Sequence, residues 1–266
     1  MSTRAETYLA EVESRTQLAP HLVRLGLGGP GLATFASTGI PDEWVGLVVP
    51  GQFQSRYYTV RSWDGTRLTL DVVVHDQGLV TEWASGDCVG DAVTITEPKG
   101  SFALPDGARW VLLVGDLTAL PAMARIAETV TDLPLRVWAE VADDLGDYLP
   151  DGTDVTWLTP PAEGRSALAE AVERIDWPAG DGYFWMAGES AQMRAVRKHL
   201  MRERRLPSTS YDVMGYWREV ERRQPRAVDR VVDRVVDPGP IWREGKAAGH
   251  GDDQIWERYD AAREQS

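Results

Sequence analysis

The chain has 266 residues, enough for two domains of ordinary size, each with a core of its own. Hydrophobic residues make up 43% and charged residues 26%, a balance that excludes an intrinsically disordered chain. The net charge of −13 argues against non-specific binding of nucleic acid and against a basic membrane-surface protein.

The N-terminus, Met1 to Glu6, is followed by no apolar run of the signal-peptide kind. No later stretch approaches the ~20 apolar residues of a membrane helix, so no membrane insertion is expected. Residues 5–105 then read as short strands between Gly, Pro and Asp turns. They are Ala10–Ser14, Leu22–Leu27, Gly46–Pro50, Arg56–Arg61, Arg67–Val74 and Val93–Thr96. Many short alternating strands with almost no helical period predict an antiparallel barrel. The one exception is a short helix over Leu79–Ala84, directly after Gly78. A glycine before a helix lets a phosphate approach the free N–H groups of the first turn, although a plain connector helix fits as well. Cys88 is the single cysteine, which excludes an intrachain disulfide framework and fits a reducing, cytoplasmic compartment. The four histidines are scattered without metal-ligand spacing, so no metal site is expected.

From Trp110 the pattern changes to alternating strand and helix. Strand Trp110–Gly115 leads into helix Leu120–Val130, strand Leu135–Val141 leads towards strand Asp154–Leu158, helix Ser166–Ile175 precedes strand Tyr183–Ala187, and helix Ala191–Arg204 follows. Such alternation builds a parallel sheet covered by helices, with ligands beyond the C-terminal strand ends. Two turns occupy that position, Gly115-Asp116-Leu117-Thr118 and Gly188-Glu189-Ser190, and neither is a Gly-x-Gly-x-x-Gly fingerprint. Both also read as ordinary N-capped turns. Beyond Pro207 come Gly215-Tyr216-Trp217-Arg218, a run of valines at helical spacing (Val228, Val231, Val232, Val235, Val236), and a second Trp-Arg-Glu at Trp242–Glu244. Ile255, Trp256, Tyr259 and Ala262 mark a last helix.

The stretch Arg56-Tyr57-Tyr58-Thr59-Val60-Arg61 carries chemistry of its own. Strand alternation puts Arg56, Tyr58 and Val60 on one face, with the Thr59 hydroxyl close by. A guanidinium for phosphate, a ring for stacking and a hydroxyl for a polar edge suit a flavin. Taken alone, the stretch also reads as a half-exposed strand with ordinary aromatic packing.

Three motifs in order bring in a resemblance. Arg56-x-Tyr58-Thr59-x-Arg61 is followed by His75-Asp76-Gln77-Gly78-Leu79-Val80-Thr81-Glu82-Trp83-Ala84, and then by Gly115-Asp116-Leu117-Thr118-Ala119-Leu120-Pro121-Ala122. Together they resemble the siderophore-interacting protein family, a branch of the ferredoxin reductase-like flavoenzymes, over roughly residues 5–220. The resemblance implies an N-terminal antiparallel FAD-binding β-barrel at 1–106 and an α/β parallel-sheet NAD(P)H-binding domain at 107–220; the helical spacing of the valine run and the last helix, which departs from the family's short tail, predicts a helical C-terminal extension at 221–266. It implies FAD contacts from Arg56, Tyr57, Tyr58, Thr59 and Arg61, and a pyrophosphate turn from Val74, His75, Gly78, Leu79, Val80 and Thr81. It implies nicotinamide contacts from Gly115, Asp116, Thr118, Ala119, Gly188 and Glu189. The family usually has Gly-Pro-Ala-Ser at Gly78–Thr81, and many members carry Glu at Leu117.

The implied activity is an FAD-dependent reductase that passes electrons from NADH or NADPH to a ferric siderophore and releases Fe(II). Ferric siderophores are often anionic, so Arg125, Arg218 and Arg243 are the acceptor-site candidates, with Lys246 behind them. Lack of a clustered Arg for a 2′-phosphate leans towards NADH, and reduced ferredoxin is another donor. A general flavin or ferredoxin-type reductase, or a non-catalytic siderophore-binding flavoprotein, are the alternatives. The chain is expected to be a monomer or a homodimer.

Overall fold

Alternate residues of Tyr8–Val12, Leu68–Val72 and Val93–Ile95 are apolar and buried, which gives the first strands one face to enclose, and the pairing of β1 with β6 closes them into a barrel. The structure is a computed structural model that describes residues 6–75, 78–161 and 166–218, together with Ala248. Strands β1 (Thr7–Ala19), β2 (Leu22–Gly28), β3 (Trp44–Val48), β4 (Arg56–Trp63), β5 (Leu68–Val73) and β6 (Ala92–Thr96) close in the order β1-β2-β5-β4-β3-β6. All pairings are antiparallel. Tyr8, Ala10 and Val12 of β1, Leu25 and Leu27 of β2, Leu68, Leu70 and Val72 of β5, and Val93 and Ile95 of β6 fill the interior. Helix α1 (Leu79–Ser85) contributes Val80 and Ala84 to that core.

The second half is a parallel sheet in the order β11-β10-β7-β8-β9, from β7 (Val111–Asp116), β8 (Leu135–Glu140), β9 (Asp154–Leu158), β10 (Tyr183–Glu189) and β11 (Tyr211–Trp217). Strands β7 and β10 are buried along their whole length, as central parallel strands must be. Val111 and Leu113 face α2 (Leu120–Thr129), with Leu120, Met123 and Ile126 in the same cluster. Leu112 and Val114 face α3 (Leu168–Arg174) and α4 (Ser190–His199), meeting Leu168, Val172, Met193 and Val196. Pro121 in the first turn of α2 suits a position whose N–H has no helical partner.

Two elements differ from the sequence reading. Tyr211–Trp217 is a full edge strand, set by pairing with β10 rather than by its own alternation. Helix α4 ends at His199, and a wider turn over Leu200–Arg204 closes at Arg205, the one described non-glycine residue with positive φ (54°). The chain divides into two units, Met1–Glu219 and Val220–Ser266, and barrel and sheet both belong to the first. The valine run, the second Trp-Arg-Glu with Arg243, Lys246 and the last helix lie outside the described residues. Among the described residues no helix is long and apolar enough to cross a membrane.

Candidate functional site

Barrel and sheet meet along a seam where β4 faces the sheet. Arg56, at the start of β4, is exposed and makes no hydrogen bond or ion pair among the described residues. Tyr58 is half-buried against the barrel core, and burial pushes its pKa up to about 12 while Arg56 pulls it down. The guanidinium and the phenol are therefore neighbours, as strand alternation predicts, whereas Val60 points into the core. Thr59 turns to the other face of the strand. It is 5% exposed, and its hydroxyl lies against the Tyr216 phenol.

An apolar surface opens beside this strand. Phe53 is 100% exposed, Tyr57 68% and Leu79 42%. Gly51 has φ 79°, and a Cβ there would sit 3.9 Å from Leu79 Cδ1, so the loop before β4 lies against the start of α1. Gly78 has φ 130° and no side chain caps α1. Val74 and Val80 are buried, and Thr81 folds under the turn to accept the His75 backbone N–H at 3.4 Å.

Across the seam lie the C-terminal ends of β7 and β10. Asp116 is buried; its Oδ1 accepts the Thr118 N–H at 2.9 Å and the Thr118 hydroxyl, and its Oδ2 accepts Trp217 Nε1–H at 2.7 Å. Burial still holds its pKa above the usual carboxylate range, against those hydrogen bonds. Gly188 (φ 151°) leaves room for this carboxylate, since a Cβ would come within 2.5 Å of Asp116 Oδ2. Gly115 packs as closely on Ala119. Glu189 caps α4 by accepting the Ala191 and Gln192 N–H groups at 2.6 and 3.0 Å.

Two candidate arginines turn elsewhere. Arg61 makes a bidentate pair with Glu128 of α2 (3.0 and 2.6 Å) and lies over the Tyr148 ring, so its charge is spent within the protein. Arg125, read from the sequence as facing an anionic acceptor, instead points into the seam. Its Nη1 donates to the Val60 carbonyl and lies 3.7 Å from Glu43 Oε1. Arg218 is exposed, directly after β11. Sequence reading missed Tyr216, whose buried phenol meets the Thr59 hydroxyl, and the buried carboxylates Asp42 and Glu43. Tyr216 stands inside the Gly-Tyr-Trp-Arg element, which was the available signal. Open cavities of about 640 and 320 Å³ lie among Glu13, Leu32, Asp64 and Arg67 and among Pro41, Phe102, Val130 and Leu133, and neither is lined by a candidate residue.

Two family profiles match: one described as the siderophore-interacting FAD-binding domain over residues 51–102, and one as siderophore-interacting protein over residues 108–220. A solved siderophore utilization protein from T. fusca is 31% identical, with a TM-score of 0.69 and coverage of 84% of this chain and 95% of that one. The chain belongs to the siderophore-interacting protein family. An uncharacterized protein of Mycobacterium tuberculosis is 31% identical over 251 residues, covering 78% of this chain and 89% of the relative. The NADPH-dependent ferric-chelate reductase of Escherichia coli is 30% identical over 162 residues, 56% of this chain and 60% of that protein. The barrel and parallel sheet are the ferredoxin reductase-like fold.

The residues present fit the flavin that the family's FAD-binding domain implies. A guanidinium with no acceptor among the described residues, exposed apolar side chains and a helix start that no side chain caps stand around β4.

Proposed function

We propose that this protein is an FAD-dependent reductase of ferric siderophores that takes its electrons from NADH or NADPH. Membership of the family and its FAD-binding segment make it a siderophore-related flavin protein, and ferric-chelate and ferric vibriobactin reductases among its relatives support reductase activity. The observation that carries the reading is Arg56 at the start of β4, an exposed guanidinium with no acceptor among the described residues, beside exposed apolar side chains and the uncapped first turn of α1.

When bound, FAD supplies acceptance of a hydride and onward transfer of single electrons. The chain's own residues bind and orient it. Arg56 offers a bidentate donor to the pyrophosphate, Tyr58 a ring surface, and Thr59 a hydroxyl for a polar edge. Phe53, Tyr57 and Leu79 offer apolar cover. Gly115–Ala119 and Gly188–Glu189 form the floor for the nicotinamide, with Asp116 fixing the turn rather than reaching out. Arg218 offers a cation to an anionic chelate. Reduction of ferric iron lowers its charge and weakens its bonds to hard oxygen donors, so the siderophore lets go of Fe(II).

The test is to purify the protein, release its chromophore with acid and identify it by chromatography. NADH or NADPH oxidation is then followed with ferric chelates and an Fe(II) trap. FAD together with chelate-dependent Fe(II) formation supports the reading. FMN alone, or no flavin, overturns it, and bound FAD with no iron reduction leaves a non-catalytic flavoprotein.

A further inference from the structure

Phe53 is fully exposed, although the loop that carries it between β3 and β4 is fixed at both ends. Pro50 and Gly51 (φ 79°) fill the centre of a turn in which the Gln52 N–H donates to the Val49 carbonyl at 3.1 Å, the residue pair that suits a type II turn. Gln52 Oε1 also accepts the Val49 N–H at 3.3 Å. On the return leg Arg56 pairs with Leu47. Gly46 leaves room for Ser55 there, since an added Cβ would come within 3.0 Å of Ser55 Cβ. Phe53 and Gln54 are left as an exposed tip. Burying a phenylalanine ring would stabilise the fold, so a fixed loop that holds one out in water points to a contact made outside the chain.

The position of Phe53 relative to β4 says which contact. Beyond Arg56 the strand runs into the seam: Thr59 meets Tyr216, the Val60 carbonyl accepts Arg125, and Arg61 pairs with Glu128. Phe53 lies on the opposite side of Arg56, three residues away, a reach of at most about 10 Å. Gly51 of the same loop lies beside Leu79, a second exposed apolar side chain. FAD has its pyrophosphate in the middle and an aromatic ring system at each end. With the pyrophosphate at Arg56 and the isoalloxazine at Tyr58, the adenosine half extends away from the seam, towards Phe53. A base stacks on an exposed aromatic face and needs no enclosed cavity to do so.

We propose that Phe53 is the stacking surface for the adenine of FAD, and that it gives the chain a preference for FAD over FMN. The proposal rests on the flavin reading above. FMN ends at a single phosphate, so it can satisfy Arg56 and Tyr58 while leaving Phe53 bare.

The test titrates FAD and FMN into the apoproteins of wild type, Phe53→Ala and Phe53→Tyr, and records the Tm of each apoprotein. Wild type should bind FAD more tightly than FMN. Phe53→Ala should raise the dissociation constant for FAD about tenfold, with that for FMN and the apo Tm unchanged. Phe53→Tyr keeps an aromatic face and should keep the wild-type preference. An unchanged dissociation constant for FAD in Phe53→Ala overturns the proposal. Equal losses for FAD and FMN overturn it too, because the ring would then serve the flavin half. So does a lowered apo Tm, because the ring would then pack on the protein. Wild type that binds neither flavin overturns this proposal and the flavin reading together, whereas wild type that holds FMN as tightly as FAD overturns this proposal alone.

Discussion

Along the α2 side of the seam, Arg24, Arg61 and Arg125 each reach an acceptor: Asp71 at 2.8 and 2.7 Å, Glu128, and the Val60 carbonyl with Glu43 close by. Only Arg61 Nε is left over. Around the start of β4 the opposite holds. Arg56 has no partner among the described residues, and the large apolar side chains Phe53, Tyr57 and Leu79 stand open to solvent. Both regions are built from the same residue types. What separates them is satisfaction: paired groups hold barrel to sheet, and unpaired ones are kept for a ligand.

The strongest way to break this contrast lies on the paired side. Asp71 is fully buried and bonded to both Arg24 and the Tyr148 hydroxyl. Asp71→Ala should cost about 3 kcal/mol of stability, because the partners lose their acceptor. Denaturant unfolding would show it, while FAD affinity of the folded protein stays near wild type. A comparable loss of affinity at full stability would place the flavin on the wrong side of the seam.

Two arginines sharpen the contrast further. Arg125→Ala should lower stability by about 1–3 kcal/mol and leave KM for a ferric chelate nearly unchanged, since its side chain serves the seam. Arg218→Ala should act on the acceptor, raising KM about tenfold if it meets an anionic chelate through one charge-assisted contact. Steady-state kinetics with paired melting curves decide between the two patterns.

The smallest effect is alkaline. Tyr58 ionises near 10 when unfolded and at about 12 in the fold, chiefly because it is buried. A raised pKa means that its stabilising share is whole below the unfolded value and is lost as pH rises from there through the folded one. By about pH 11 the loss amounts to about 1.4 kcal/mol, which Tyr58→Phe should not show. Identical alkaline slopes for the two proteins would mean that Tyr58 is not buried as described.

Much of the architecture was legible because it is written locally. Alternation in Leu68–Val72 and Val93–Ile95 announces barrel strands, and Val111–Gly115 before Leu120–Ile126 announces a buried strand feeding a helix. Strand β11 was not legible, since Tyr211–Trp217 becomes a strand by pairing with β10, and Gly215 matters because Ser190 packs against it. The arginines show the same limit. Nothing near Arg61 or Arg125 in the sequence tells that Glu128 and Glu43 will meet them, 67 and 82 residues away, so cations of the seam and cations of the crevice look alike until the chain is folded. Asp42 and Glu43 escaped for that reason too.

The most direct measurement sets two arginines of the same strand against each other. FAD is titrated into apo wild type, Arg56→Ala and Arg61→Ala, and the Tm of each apoprotein is recorded. Arg56→Ala should weaken FAD binding by about 1.5–3 kcal/mol with Tm unchanged, and Arg61→Ala should lower Tm and bind FAD like wild type. If Arg61→Ala loses the flavin while Arg56→Ala keeps it, pairing within the chain does not distinguish the residues that hold the fold from those that hold the cofactor.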